Sequence, residues 1–65
     1  MQIILNGEAR TFEAQSVLAL LQELGYVGKR IAVELNGEIV PKSLHADTAL
    51  KAGDQLEIVV AVGGG

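Results

Sequence analysis

Sixty-five residues and 6.8 kDa leave room for one domain, and the absence of cysteine excludes a disulfide framework or a thiolate metal site. A domain this small buries only about 60% of the surface its unfolded chain exposes, so stability must come from a compact core, which the 49% hydrophobic composition can supply. The net charge of −3, with Arg10, Lys29, Arg30, Lys42 and Lys51 scattered and only Phe12 and Tyr26 aromatic, argues against nucleic acid, which calls for a basic stripe or stacking aromatics.

No apolar run approaches the roughly 18 residues of a membrane span. The first residues lack a basic region and are interrupted early by Gln2 and Asn6, unlike a signal peptide. A cytoplasmic protein that is monomeric when free is the expectation. An acidic surface suits a partner with a basic docking face.

Gln2-Ile3-Ile4-Leu5 is a strand candidate. Asn6-Gly7 is a two-residue hairpin signal, because both residues tolerate positive φ, and Glu8 to Glu13 returns as a second strand. Ser16 is placed to cap a helix N-terminus. Val17, Leu18, Leu20, Leu21 and Leu24 then recur at helical spacing. Gly25 stands where a left-handed cap is expected, and a loop runs to Arg30.

Ile31, Val33 and Leu35 alternate with Ala32, Glu34 and Asn36 as a half-buried third strand. Asn36-Gly37 repeats the hairpin signal. Glu38-Ile39-Val40 makes a short fourth strand, ended by Pro41, which cannot donate to a ladder. Lys42 to Leu50 reads as irregular, with a helical turn near Leu44 to Ala46. Ala52-Gly53-Asp54 is a turn, and Leu56 to Val62 is the last strand, with Leu56, Ile58, Val60 and Val62 alternating.

The order is strand, strand, helix, strand, strand, strand. A right-handed crossover through the helix lets the first and last strands lie parallel at the sheet centre. The expected fold is α+β: a mixed sheet of four to five strands with one main helix on one face, the β-grasp arrangement that ubiquitin also uses. The domain should span residues 1–62, with 63–65 a flexible glycine tail.

With one helix, the second sheet face meets solvent or a partner. If Leu56, Ile58 and Val60 face the helix, Glu57, Val59 and Ala61 face away. Ile3 and Leu5 are expected inside and Ile4 outside, and Ala32 and Glu34 outside. Ile4, Ala32, Val59 and Ala61, with Glu34 and Glu57 beside them, form a candidate docking face, since an apolar patch rimmed by acids marks protein interaction sites. Ordinary scattered exposure of β-branched residues is the competing reading.

Side-chain chemistry is sparse. His45 is the single histidine and reads as a loop residue rather than a base or ligand. No two acids are spaced as a general acid–base pair. The internal glycines do not compose a phosphate-binding loop, so no catalytic residue, metal site or bound cofactor is expected. What remains is Gly63-Gly64-Gly65 and the Gly65 carboxylate. Glycines leave the tail thin and its last carbonyl carbon open. A plain terminal linker is the competing reading.

The whole chain resembles the ThiS family, the sulfur carriers of thiamin biosynthesis. The resemblance rests on Met1-Gln2-Ile3-Ile4-Leu5-Asn6-Gly7, on the run from Ala32 to Lys42 (AVELNGEIVPK), on Gly53-Asp54-Gln55-Leu56-Glu57-Ile58-Val59, and on Ala61-Val62-Gly63-Gly64-Gly65. Leu44-His45 depart from the family's bulkier pattern in what reads as a surface loop.

The resemblance implies a carrier, not an enzyme. A ThiF-like adenylating enzyme, using ATP and Mg²⁺ of its own, activates Gly65, and a cysteine desulfurase or other persulfide donor supplies sulfur. Gly65 becomes a thiocarboxylate, and the sulfur passes to a ThiG-like thiazole synthase. Gly63, Gly64 and Gly65 would enter partner active sites. Three readings stay open beside this one: a carrier for molybdopterin, amino acid or tRNA thiolation, a ubiquitin-like protein modifier, and a β-grasp interaction module with an inert tail.

Overall fold

The computed structural model describes residues 1–61. Its elements are β1 (Gln2–Leu5), β2 (Glu8–Thr11), α1 (Val17–Leu24), β3 (Ile31–Leu35), β4 (Glu38–Ile39), a 3-10 turn (Lys42–Leu44) and β5 (Gln55–Val60). The five strands form one mixed sheet in the order β2-β1-β5-β3-β4. β5 runs parallel to β1 and antiparallel to β3. The last strand in sequence is therefore central in space, as the β-grasp expectation requires.

Local chemistry sets the elements. Ser16 has extended backbone, and its hydroxyl accepts from the Ala19 amide at 3.1 Å, opening α1. Gly25 closes α1 at φ 75°, and the Tyr26 amide reaches back to the Leu21 carbonyl at 2.9 Å. A side chain at that left-handed position would be strained. The two hairpins turn on Asn6-Gly7 and Asn36-Gly37, all four residues at positive φ, which matches the right-handed twist of the flanking strands.

α1 packs on one face of the sheet. Val17, Leu20 and Leu21 meet Ile3, Leu5, Val33, Leu56 and Ile58 from β1, β3 and β5 in one core. Phe12, Ala14, Val40 and Leu50 close its edges. Burying each such aliphatic side chain contributes about 1.5–3 kcal/mol relative to exposure.

Several boundaries differ from the sequence expectation. β2 stops at Thr11 rather than Glu13, although the Phe12 amide still donates to the Met1 carbonyl at 2.8 Å. β4 ends at Ile39, after which buried Val40 donates its amide to the Val33 carbonyl at 2.8 Å. The helical turn begins at Lys42, not Leu44, directly after Pro41, whose fixed φ suits the entry to a turn.

β5 covers 55–60 rather than 56–62. Val60, expected under the helix, is 41% exposed. Its partner across the sheet is Ile31, at the first residue of β3. That pair stands at the end of the sheet, and alternation points Val60 to the helix side without enough helix there to cover it. The expected end of the strand at Val62 and the 62/63 domain boundary lie outside the described residues.

His45 is the clearest departure. It sits in the expected loop but is buried, with 7% of its surface exposed. Its Nε2 lies 3.1 Å from the Val40 carbonyl and, facing an acceptor, must carry the proton. Its own carbonyl accepts from the Leu18 amide at 2.9 Å. The loop is thus tied to both α1 and the end of β4.

Candidate functional site

Strand register fixes which side chains share the outer sheet face. Ile4 stands opposite Ala9 on β2 and beside Gln55 on β5. Glu34 stands opposite Glu57 on one side and Ile39 on the other, and Ala32 stands opposite Val59. All six residues of the candidate docking face are accounted for, but they do not form one apolar patch.

Ile4 is half-buried at one end of the sheet. Val59 lies four residues further along β5 than Gln55, about 13 Å at the usual strand rise. Between them stands the Glu34–Glu57 pair. Ala61 lies just past the end of β5, where its amide still donates to the Arg30 carbonyl at 2.8 Å. The face thus divides into Ile4 at one end and a mixed patch of Ala32, Glu34, Glu57 and Val59 towards the other.

Ile39 belongs to that mixed patch and was missing from the sequence-derived face. It is 74% exposed, more than Val59 at 63%. The alternation of the third strand already placed Glu34 outside. What the sequence did not supply was the β3–β4 register that sets Ile39 beside Glu34. The period-two rule applied back across the Asn36-Gly37 turn would have found it.

The Glu34–Glu57 geometry follows from the ladder. Asn36 donates its amide to the Gln55 carbonyl at 2.8 Å, and Ala61 donates to Arg30. Stepping by two between those pairs puts Glu34 and Glu57 at a hydrogen-bonded position, with Cα atoms about 5.5 Å apart. Glu34, Glu57, Gln55 and Gly37 line a shallow hollow of about 210 Å³. Like charges directly opposite are destabilising in a sheet.

A second hollow, about 220 Å³, opens between α1 and the 3-10 turn, with Leu18 and Leu21 as an apolar floor and Lys29 and Lys42 at its rim. His45 lines it too, but uses its Nε2–H on the Val40 carbonyl. Among the described residues there is no group of three or more His, Cys, Asp or Glu placed to hold a metal ion. No helix among them is long and apolar enough to cross a membrane.

The described residues end at Ala61, one residue past β5. Both neighbours hold β5: β1 through the Asn6 amide to the Leu56 carbonyl at 2.9 Å, and β3 through the Asn36 amide to the Gln55 carbonyl at 2.8 Å. The candidate reacting residue Gly65 and the tail residues Gly63 and Gly64 fall within four residues beyond Ala61 and lie outside the described residues.

Comparison with known proteins agrees with this architecture. The model of the ThiS family matches residues 3–65. A sulfur carrier protein ThiS from Thermus thermophilus is 38% identical over 61 residues, covering 94% of this chain and 95% of that protein. A thiazole synthase from Paramagnetospirillum magneticum is 53% identical over 66 residues, covering all of this chain but 20% of that protein. The chain thus spans about a fifth of the length of that relative, and likewise 20% of a thiazole synthase from Magnetococcus marinus. The crystal structure of a thiamine biosynthesis protein (ThiS) from Geobacter metallireducens superposes with a TM-score of 0.83 at 32% identity, covering both chains in full.

Proposed function

This chain belongs to the ThiS family, and from that premise we propose that it is a sulfur carrier of thiamine biosynthesis whose reacting group is the Gly65 carboxylate. The observation that carries the reading is the placement of β5. The strand preceding the glycines is the central strand of the sheet, held from the β1 side as far as Ile58 and from the β3 side as far as Ala61. A strand hydrogen-bonded within the sheet thus stands a few residues before Gly63, Gly64 and Gly65 in the sequence.

In this reading the carboxylate oxygen of Gly65 attacks the α-phosphorus of ATP on a ThiF-like adenylating enzyme, forming an acyl adenylate and expelling pyrophosphate. Adenylation supplies a good leaving group at a carbon that glycine leaves unhindered. A persulfide donor attacks that carbon and AMP departs, and a thiol then reduces the acyl disulfide to the thiocarboxylate. Three residues reach at most about 10–11 Å, enough to cross the wall of a partner's active site. The carrier contributes the substrate group and the docking surface, and ATP and Mg²⁺ belong to the partner.

Thiazole synthase is the proposed acceptor of the sulfur. The names of two relatives that contain a segment similar to this chain support it. The outer sheet face, with Ile4, Ala32, Glu34, Glu57, Val59 and Ala61, is the proposed docking surface, its working part being the mixed patch away from Ile4.

The test is intact-mass measurement after incubation with the adenylating enzyme, ATP and a sulfur donor. An oxygen-to-sulfur increment on Gly65, lost on deleting that residue, is the expected result. Higher-mass adducts on other proteins would instead identify a modifier, and an unchanged mass would overturn both. A thiamine requirement on loss of the gene distinguishes thiazole formation from other clients.

A further inference from the structure

Glu34 and Glu57 set two like charges directly across from each other in the sheet. The two side chains occupy directly opposed positions on adjacent strands, where opposite charges stabilise and like charges destabilise. The strand residues sharing their face include no lysine or arginine. Two of the chain's cations lie against aromatic rings: Arg10 is 5.3 Å from the Phe12 ring centroid and Lys29 is 5.5 Å from that of Tyr26. The pair also lines a hollow, about 210 Å³ in volume, open to the outside.

Two large apolar side chains bracket the pair on the same face. Val59 is 63% exposed one step along β5, and Ile39 is 74% exposed across from Glu34. They are the two most exposed large hydrophobics among the described residues. Arg30, opposite Ala61, is the cation at the far end of this face, four residues along from Glu34. Two opposed carboxylates with no cation beside them and apolar shoulders are complementary to one kind of surface.

We propose that this face receives a protein partner through an arginine or lysine seated over Glu34 and Glu57, with apolar side chains of the same partner resting on Val59 and Ile39. A guanidinium suits the hollow best, because its planar fork bonds two carboxylate oxygens at once. The repulsion that the free chain carries is relieved only in the complex, so part of the docking free energy is stored in the sheet. This rests on the carrier reading, with the adenylating enzyme as the partner to be tested.

The experiment compares the wild-type chain with the Glu34→Gln and Glu57→Gln double variant. Thermal unfolding is measured alone, and binding to the adenylating enzyme is measured by calorimetry at low and high salt. The expected results are a higher melting temperature for the variant, an affinity at least about tenfold weaker and a flatter salt dependence. A variant that melts higher but binds as tightly overturns the docking inference, and a variant that melts no higher overturns the stored repulsion. Wild-type conversion to thiocarboxylate is followed in the same samples. Its failure counts against the carrier reading, whereas normal wild-type conversion with unaltered variant binding counts against the docking inference alone.

Discussion

Asn6 and Ile58, 52 residues apart, are joined by two hydrogen bonds: the Ile58 amide donates to the Asn6 Oδ1 at 2.8 Å, and the Asn6 Nδ2 donates to the Ile58 carbonyl at 3.3 Å. β1 has already turned away at this point, so a side-chain amide takes the place of the next backbone unit in the parallel ladder. Asn36, in the other hairpin turn, does the same from the opposite side, accepting the Gln55 amide at 2.9 Å. Each Asn-Gly turn thus reverses the chain and also grips the central strand.

Asn6→Ala removes both bonds and places a Cβ-bearing residue without a polar side chain at φ 49°. The expected loss is about 2–3 kcal/mol, from two hydrogen bonds and a left-handed backbone position. Urea unfolding measures it. Asn6→Asp keeps the acceptor for the Ile58 amide and should lose less, and Ile58 amide exchange should accelerate most in the alanine variant.

Ser16→Ala should destabilise the chain by about 1 kcal/mol, because the Ala19 amide loses its side-chain acceptor at the start of α1. Ser16→Asp should restore most of that. An alanine variant with unchanged stability would mean that solvent satisfies the amide equally well.

Leu20→Ala opens a cavity at a fully buried position in the centre of α1. The expected cost is about 2–5 kcal/mol. Whole domains of this length are stable by only roughly 3–10 kcal/mol. Circular dichroism on warming should therefore show a large fall in melting temperature or an unfolded chain at 37 °C.

His45→Ala should cost more than an ordinary loop substitution. It leaves the Val40 carbonyl without its buried donor, at about 1–3 kcal/mol, and removes a ring from between α1 and the end of β4. His45→Ala that unfolds in urea at the wild-type midpoint would count against this structural role.

Ile39→Ser separates docking from folding. Ile39 is largely exposed on a two-residue edge strand, so its replacement should alter stability by no more than about 0.5 kcal/mol. Binding to the adenylating enzyme should weaken by about 1–2 kcal/mol if an apolar side chain of the partner rests there. Ile4→Ser, at the far end of the same face, should leave that binding nearly unchanged.

The candidate site was legible in uneven measure. Alternation in the third and fifth strands was enough to place Glu34, Glu57, Ala32 and Val59 outside, because the β period is two and the apolar residues mark the inside. Ile39 escaped because the run Glu38-Ile39-Val40 taken alone does not say which residue faces in; the two-residue Asn36-Gly37 turn, which pairs Ile39 with Glu34, does. His45 escaped because a lone histidine in a polar stretch carries no sign of the carbonyl waiting for it across the loop.

The sequence by itself determined the elements, their order and the β-grasp class. Asn-Gly turns, a Ser16 cap, a Gly25 stop and two kinds of hydrophobic period are local signals, and each acts over a few residues. Only the tertiary structure decided that Glu34 faces Glu57, that Ile4 is separated from Val59, and that Val60 lies beyond the helix's cover. Those are matters of register and of where layers end, set by pairing between strands about 20 to 50 residues apart, which a short-range pattern does not encode.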